Sequence, residues 1–168
     1  LDRLNSFEIA NRLSHFAWSS LPDNDLFTLA KDEKLQDREI LKQQVIRLLN
    51  DDRSRSFVEG FADSWLRLDK LGTMPPASLK FREYYRYGLN DAMLEETYRF
   101  VSNAVEENVP VTDFIQSDYA FINQDLARHY KMKGIEGIHF RKVSLPSESM
   151  RGGLLGQASI LTLTANGV

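Results

Sequence analysis

Apolar residues recur every three or four positions through the first two-thirds of the chain, and short polar segments interrupt them. This spacing is typical of amphipathic helices that bury one face. It predicts a mainly α protein, a compact bundle of about six to seven helices with a short extended segment near the C-terminus. The predicted inward faces of the four main helices are Ile9, Leu13, Phe16 and Ala17; Leu41, Val45, Leu48 and Leu49; Phe57, Phe61, Trp65 and Leu68; and Leu89, Met93, Thr97, Phe100, Val101 and Ala104.

Polar residues mark the expected helix boundaries. The fourth helix is predicted from about Ser54 to Leu71, with Gly60 inside it to let a neighbouring helix approach closely. A loop with two prolines follows at 72–78, and Gly134 is suited to the left-handed position after a later short helix. The predicted helix caps are Ser6, Asp23 or Asn24, Asp37, Thr112 and Asn123.

After Gly134 the pattern changes. Phe140, Val143 and Leu145, with Arg141 and Lys142 between them, predict an extended segment that Pro146 ends, before a polar loop at 147–151. The small and apolar residues of 151–168 suit either a closely packed helix or a strand, and we favour the helix. We expect this segment to pack on the helical body through Leu154, Leu155, Ile160 and Leu161.

Composition narrows the classes of function. The chain is 42% hydrophobic and carries a net charge of −3, with basic residues scattered along it, so a nucleic-acid partner is disfavoured. No apolar run approaches the roughly 20 residues that a membrane-spanning helix needs. There are no cysteines, which excludes disulfides, thiolate metal sites and covalent c-type haem attachment within these residues. We therefore expect no cofactor in this chain.

Three histidines are the first candidates for chemistry. None of them has the spacing of a metal-ligand pair. His15 lies beside the apolar face of the first helix, where packing or capping is the more common role, and His139 resembles a surface or strand-edge residue. His129 ends a helix beside Tyr130, where the helix dipole would favour a charged imidazole.

Acidic residues on the long helix are the second candidate. Asp91 and Glu95 share a helix face, with Glu96 beside them, and paired carboxylates can bind a divalent ion or act as acid and base. A solvated face with Arg99 as the ion-pair partner of Glu95 is the favoured interpretation. No metal site or catalytic residue is therefore predicted. The weak candidates for a functional cluster are Arg128, His129, Tyr130, Glu95 and Glu96.

Two further patterns have simpler structural explanations. Arg151-Gly-Gly153 exposes backbone amides but lacks the Lys-Ser/Thr of a phosphate loop, and close packing of small residues explains the glycines as well. Aromatic residues could form a sugar-stacking surface, although helical spacing places Trp65 in the core. These aromatic residues are Trp18, Trp65, Tyr84, Tyr85 and Tyr87.

Several motifs together resemble a known family. The segment Ser6–Asp23 contains the run Phe7-Glu-Ile-Ala-Asn-Arg-Leu-Ser14, then Trp-Ser-Ser and Pro-Asp. Residues 1 to about 133 resemble a planctomycete-type domain of unknown function. The other matching motifs are Asp52-Arg-Ser-Arg55, Phe61-Ala-Asp-Ser-Trp-Leu66, Glu95-Glu-Thr97, Asp118-Tyr-Ala-Phe-Ile-Asn123 and Leu126-Ala-Arg-His-Tyr130.

The resemblance implies a context and no activity. It implies a helical domain at 1–133, followed at 134–168 by a connecting segment and the truncated start of the adjoining planctomycete-type domain, which Arg151–Ser159 resembles. Such domains belong to large exported proteins of the cell envelope whose other modules carry c-type haem. The expected role is a noncatalytic structural or interaction module. Its expected partners are other domains of the same polypeptide, or a protein or glycan; the alternative is part of an oxidative or carbohydrate-active enzyme.

Overall fold

A computed structural model of the protein describes residues 3–73, 75–146, 148–149 and 151–165. These residues form eight α-helices, six of them with seven residues or more, and one two-stranded sheet, which confirms the predicted mainly α class. None of the described helices is long and apolar enough to cross a bilayer. The elements are α1 (Ser6–Trp18), α2 (Asn24–Lys31), α3 (Arg38–Leu49), α4 (Arg55–Leu66), α5 (Arg82–Arg86), α6 (Leu89–Glu106), β1 (Tyr119–Ile122), α7 (Gln124–His129), β2 (Arg141–Ser144) and α8 (Ala158–Thr164).

The chain divides into two compact units, Leu1–Gly60 and Phe61–Val168. In the first unit, Asp23 and Asp37 cap α2 and α3 as predicted. The cap of α1 is Asn5 and not Ser6, because the Asn5 side chain accepts from the Glu8 amide while Glu8 accepts from the Asn5 amide. The buried residues that form the core of this unit are Ala10, Ala17, Trp18, Leu26, Ala30, Leu35 and Leu48.

The predicted inward face of α1 is confirmed at Ile9, Leu13 and Ala17, which lie in or against the core, and is wrong at Phe16. Phe16 is 62% exposed, whereas Ala10, Ser14 and Ala17 are buried. Small side chains at this i, i+4, i+7 spacing let the helix backbone lie close to its neighbours, which a phenylalanine would prevent. Phe16 instead packs its ring against Phe57, with the ring centroids 4.8 Å apart.

Trp18 organises a charged cluster in the same unit. Its indole Nε1 donates to the Leu48 carbonyl oxygen at 2.9 Å, and the Arg53 guanidinium lies 3.4 Å from the ring centroid. The Arg47 guanidinium donates two hydrogen bonds to Asp23, which lowers the pKa of that carboxyl. The family motifs around Trp18 and Asp23 therefore stabilise this unit.

α4 ends earlier than predicted. It stops at Leu66 because Arg67 adopts a left-handed conformation, with φ +58°, and Leu68–Lys70 forms a separate 3-10 turn. Trp65 is 51% exposed and is not a core residue; the buried residue of this turn of the helix is Ala62. Trp65 packs its ring edge against Phe114 at 5.8 Å.

The second unit is built on α6. All six residues predicted for its inward face are buried. β1 and β2 pair antiparallel with Tyr119 opposite Ser144, which confirms the extended segment at 140–145 and supplies a partner strand that was not predicted. Asn123 caps α7 as predicted, but Lys131, with φ +58°, occupies the left-handed position after the helix in place of Gly134. Thr112 lies inside a 3-10 turn, Val111–Phe114, and does not cap it.

The C-terminal segment forms the favoured helix and packs within the second unit. A 3-10 turn at Leu154–Gly156 precedes α8, and Leu154 is buried as expected. Leu155 and Leu161 are 66% and 48% exposed, so the predicted leucine contacts are wrong for these two. The closely packed side chains of α8 are Ala158 and Ser159, since only small residues fit against α6. Met74, Ser147, Met150 and residues 166–168, which belong to predicted loops and to the segment's end, lie outside the described residues.

Candidate functional site

The most unusual buried group is the carboxylic acid of Glu96, which is 1% exposed. Glu96 lies seven residues after Leu89, three after Met93 and four before Phe100, on the apolar stripe of α6. The carboxylic acid of Glu96 is therefore buried in the core together with the apolar residues of this face. The predicted ion pair is confirmed, since the Glu95 carboxylate accepts from Arg99 at 2.6 Å. The predicted solvated position is wrong for Glu96.

Tyr130, directly after α7, connects Glu96 to α8. Its hydroxyl donates to Glu96 Oε2 at 2.5 Å and accepts from the Ala158 amide at 3.0 Å. The first amides of a helix lack intrahelical partners, and α8 has no side-chain cap on its N-terminus. Tyr130 thus satisfies one of these amides and holds three helices together through a single hydroxyl.

A second polar link joins α6 to α8. The Thr97 hydroxyl donates to Gln157 Oε1 at 2.7 Å, and the Ser159 hydroxyl lies 2.6 Å from the same Thr97 oxygen. Because a hydroxyl has one proton, and Thr97 uses its proton on Gln157, Ser159 is the donor in the second bond. All three side chains are buried, so the link is shielded from water.

Burial shifts the protonation of this network. It raises the pKa of Glu96 to about 8, against the opposing effects of the Tyr130 hydroxyl and the positive charge of Arg151. Burial also raises the pKa of Tyr130 above its usual range, and the adjacent Glu96 adds to this shift. Glu96 is therefore mostly protonated at pH 7, and the core carries no isolated negative charge.

Arg151 and His129 flank Tyr130. The Arg151 guanidinium lies 4.2 Å from the centroid of the Tyr130 ring, and the His129 ring lies 5.5 Å from it. Burial lowers the pKa of His129, and the positive charge of Arg151 lowers it further. The direction is opposite to the one expected from the helix dipole, because burial and a nearby cation both disfavour the charged imidazole.

A cleft of about 580 Å³ opens beside these two residues. Of the charged side chains on its wall, Glu83 is the single carboxylate among the described residues, and the others are basic. The wall does not include Arg128, Glu96 or Tyr130. The residues that line it are Pro76, Leu79, Lys80, Phe81, Arg82, Glu83, Tyr84, Leu89, Met93, His129, Arg151, Ala158, Leu161, Thr162 and Ala165.

The structure brings together only some of the sequence candidates. Glu96, Tyr130 and His129 are neighbours, while Arg128 is exposed, pairs with Asp125 at 3.0 Å and lies over the Tyr87 ring. The histidines at 15 and 139 are exposed. No group of three or more acidic or histidine side chains among the described residues could hold a metal ion.

The glycines near Arg151 serve packing. A Cβ at Gly152 would overlap the carbonyl oxygen of Ser117, and one at Gly153 would overlap that of Ile115. Gly153 also has φ +69°, which side chains rarely adopt. The phosphate-loop interpretation of these glycines is therefore unnecessary, because backbone contact alone requires them.

The sequence did not predict that Arg151 stacks on Tyr130. It also did not predict the buried hydrogen bonds of Thr97 with Gln157 and Ser159. The helical spacing of Glu96 with Met93 and Phe100 was a signal that could have revealed the buried acid. No comparable signal existed for Gln157 and Ser159, since their partner Thr97 lies 60 and 62 residues away.

Comparison with known proteins gives one match. The model of the PSD4 family, described as a protein of unknown function (DUF1592), matches residues 4–132. Comparisons with curated proteins and with solved structures return no match. The matched segment is well over half of the chain and contains most of the motifs in the sequence that resembled such a domain, so the chain belongs to the PSD4 family of unknown function.

Proposed function

We propose that this chain acts as a noncatalytic structural or interaction module. The observation that carries the proposal is the pair of buried polar links between α6 and the start of α8. Their hydroxyls and the acid of Glu96 bond to one another and to the start of α8. A catalytic acid or base needs a substrate proton within hydrogen-bond reach, and here that capacity is used to join helices.

The proposed setting is a large exported protein of the cell envelope whose other modules carry c-type haem. Membership of the PSD4 family supports this setting through the resemblance described above. The chain has no cysteine, so thioether attachment of haem would fall to other modules. The proposed partners of this module are those domains, or a separate protein or glycan.

The alternative is a part of an oxidative or carbohydrate-active enzyme. The observation in its favour is the cleft that contains His129 and Arg151. Against it, general acid–base chemistry on sugars uses paired carboxylates, and the described wall of the cleft has only Glu83. The structural role is therefore the better supported.

Turnover by the full-length polypeptide separates the two functions. Wild-type protein and the variants His129→Gln and His139→Gln would be assayed on panels of oxidative and carbohydrate substrates. A structural module predicts that any turnover is the same in all three proteins. Loss of turnover in His129→Gln alone, with an unchanged thermal melt, would overturn the proposal in favour of the enzyme.

The setting has its own test. Cross-linking of the full-length polypeptide should join lysines of this module to lysines of other domains or of a second protein. Haem staining of the exported fraction after denaturing electrophoresis should label the same polypeptide. Absence of both signals would refute the proposed setting.

A further inference from the structure

The cleft beside α8 combines apolar side chains with an arginine that has no ion pair among the described residues. The apolar side chains run from fully buried Leu89 and Met93, on its inner wall, to exposed Leu79, Phe81 and Leu161 at its rim. Its volume of about 580 Å³ lies within the range of small-molecule sites. Large apolar side chains held at the rim of such a cleft are typical of a binding surface.

Arg151 is the distinctive charge on this wall. It is half-buried, stacks on Tyr130, and its guanidinium has no hydrogen bond or ion pair with any described residue. The acid closest to it in the core, Glu96, has its pKa raised to about 8 and does not neutralise it at pH 7. A half-buried arginine usually has an anionic partner, because desolvating an unpaired charge is costly.

Two of the remaining charged residues on the wall are also basic. Lys80 and Arg82 are exposed and form no ion pair with a described residue, and Glu83 is the opposing charge. The cleft wall thus combines a half-buried guanidinium, two exposed basic side chains and several apolar side chains. One guanidinium fork matches one carboxylate through two parallel hydrogen bonds.

We propose that this cleft binds a small amphipathic carboxylate, an organic acid whose carboxylate pairs with Arg151 and whose apolar body lies against Leu89, Met93 and Leu161. Ligand binding in this cleft does not depend on the proposed structural role of the buried polar contacts, so either proposal can fail while the other holds. The ligand class follows from the wall: the positive charge selects an anion, and the apolar area excludes small hydrated anions.

Isothermal titration of the full 168-residue chain tests the charge and the apolar body separately. 2-Naphthoate should bind saturably, while its neutral analogue 2-naphthamide and the hydrated anion acetate should bind at least about tenfold more weakly. Equal binding of 2-naphthoate and 2-naphthamide, or no saturable binding of 2-naphthoate, would overturn the proposal.

Matched variants locate the site. Arg151→Met should weaken 2-naphthoate binding at least about tenfold, whereas Arg128→Met, which removes another arginine stacked on a tyrosine but outside the cleft, should not change it. Leu161→Asp should weaken binding and Leu155→Asp, an exposed leucine that does not line the cleft, should not. Unchanged affinity in Arg151→Met would overturn the proposal.

Wild-type protein alone gives a second measurement if Arg151→Met does not fold. In a two-dimensional NMR titration with 2-naphthoate, the amide signals of Phe81, Leu161 and Thr162 should shift with one saturation curve. The amide of Leu155 should stay in place. Shifts confined to residues outside the cleft would refute the assignment of the site.

Discussion

Replacing Glu96 by glutamine should remove a pH dependence of stability from the second unit. Glutamine has nearly the same shape, and its carbonyl oxygen can still accept from the Tyr130 hydroxyl. It cannot ionise. The wild-type acid, whose pKa is raised from 4.5 to about 8 by burial, holds its proton in the folded state over a range where the unfolded chain releases it.

This difference in proton binding sets the direction in which the free energy of unfolding changes with pH. Between about pH 4.5 and pH 8 the folded state binds the additional proton, so the free energy of unfolding falls as the pH rises. The stabilising contribution of Glu96 to the free energy of unfolding is fully present below pH 4.5 and is lost as the pH rises through about 8. A pKa change of this size corresponds to at most about 5 kcal/mol.

Urea denaturation from pH 4.5 to 9 would measure the effect. The chain has two tryptophans, one in each unit, so a Trp18→Phe background lets Trp65 fluorescence report on the second unit. The free energy of unfolding should decline with pH in the Glu96 protein and decline less in Glu96→Gln. Glu107→Gln, which changes an exposed carboxylate at the end of α6, should keep the decline. Parallel pH profiles for the Glu96 protein and Glu96→Gln would refute the reasoning.

Three other substitutions test the packing. Tyr130→Phe should destabilise the second unit by about 1–3 kcal/mol in urea denaturation, because the Ala158 amide and Glu96 lose their partner; an unchanged midpoint would contradict this. Gly60→Ala should raise the melting temperature and add up to about 1 kcal/mol to the free energy of unfolding, because no described atom outside the helix backbone lies within 4 Å of the added Cβ. A lower melting temperature would show that the space around Gly60 is not open. Gly153→Ala should lower the melting temperature, because its Cβ would overlap the Ile115 backbone, and wild-type stability would refute the close approach.

The open space at Gly60 also corrects the sequence interpretation of that residue. Close approach of a helix was expected there, yet the glycines whose added Cβ would overlap the backbone are Gly152, Gly153 and Gly156. The difference cannot be read from local pattern, since a glycine in a helix has the same sequence signature whether or not a neighbour lies against it.

Helix boundaries were predictable where local chemistry sets them. Asp23, Asp37 and Asn123 cap their helices because a side-chain oxygen reaches the next free amides, an interaction within three residues. The direction a helix faces was less predictable. For α1, Phe16 was expected to face inward and is exposed, while the small residues Ala10 and Ser14 are buried, because the distance to the neighbouring helix decides which side chains fit.

The candidate site was also predictable in some of its residues but not in their contacts. Tyr130 and Glu96 were both sequence candidates, but their contact joins residues 34 apart, and the Thr97–Gln157 bond joins residues 60 apart. The division at 133 between the family domain and the following segment stays a prediction, and the described residues of 134–165 belong to the second unit.

By itself, the sequence determined the mainly α class, the long helix α6 with its buried face, and the family. These depend on periodicity, capping and motifs, which are local properties of the chain. Only the tertiary structure decided that Glu96 is buried in the core with its pKa raised to about 8, that Arg151 on the cleft wall has no ion pair with a described residue, and that Ala158 and Ser159 pack closely in α8. Burial and charge pairing depend on which distant residues come together, and no local pattern contains that information.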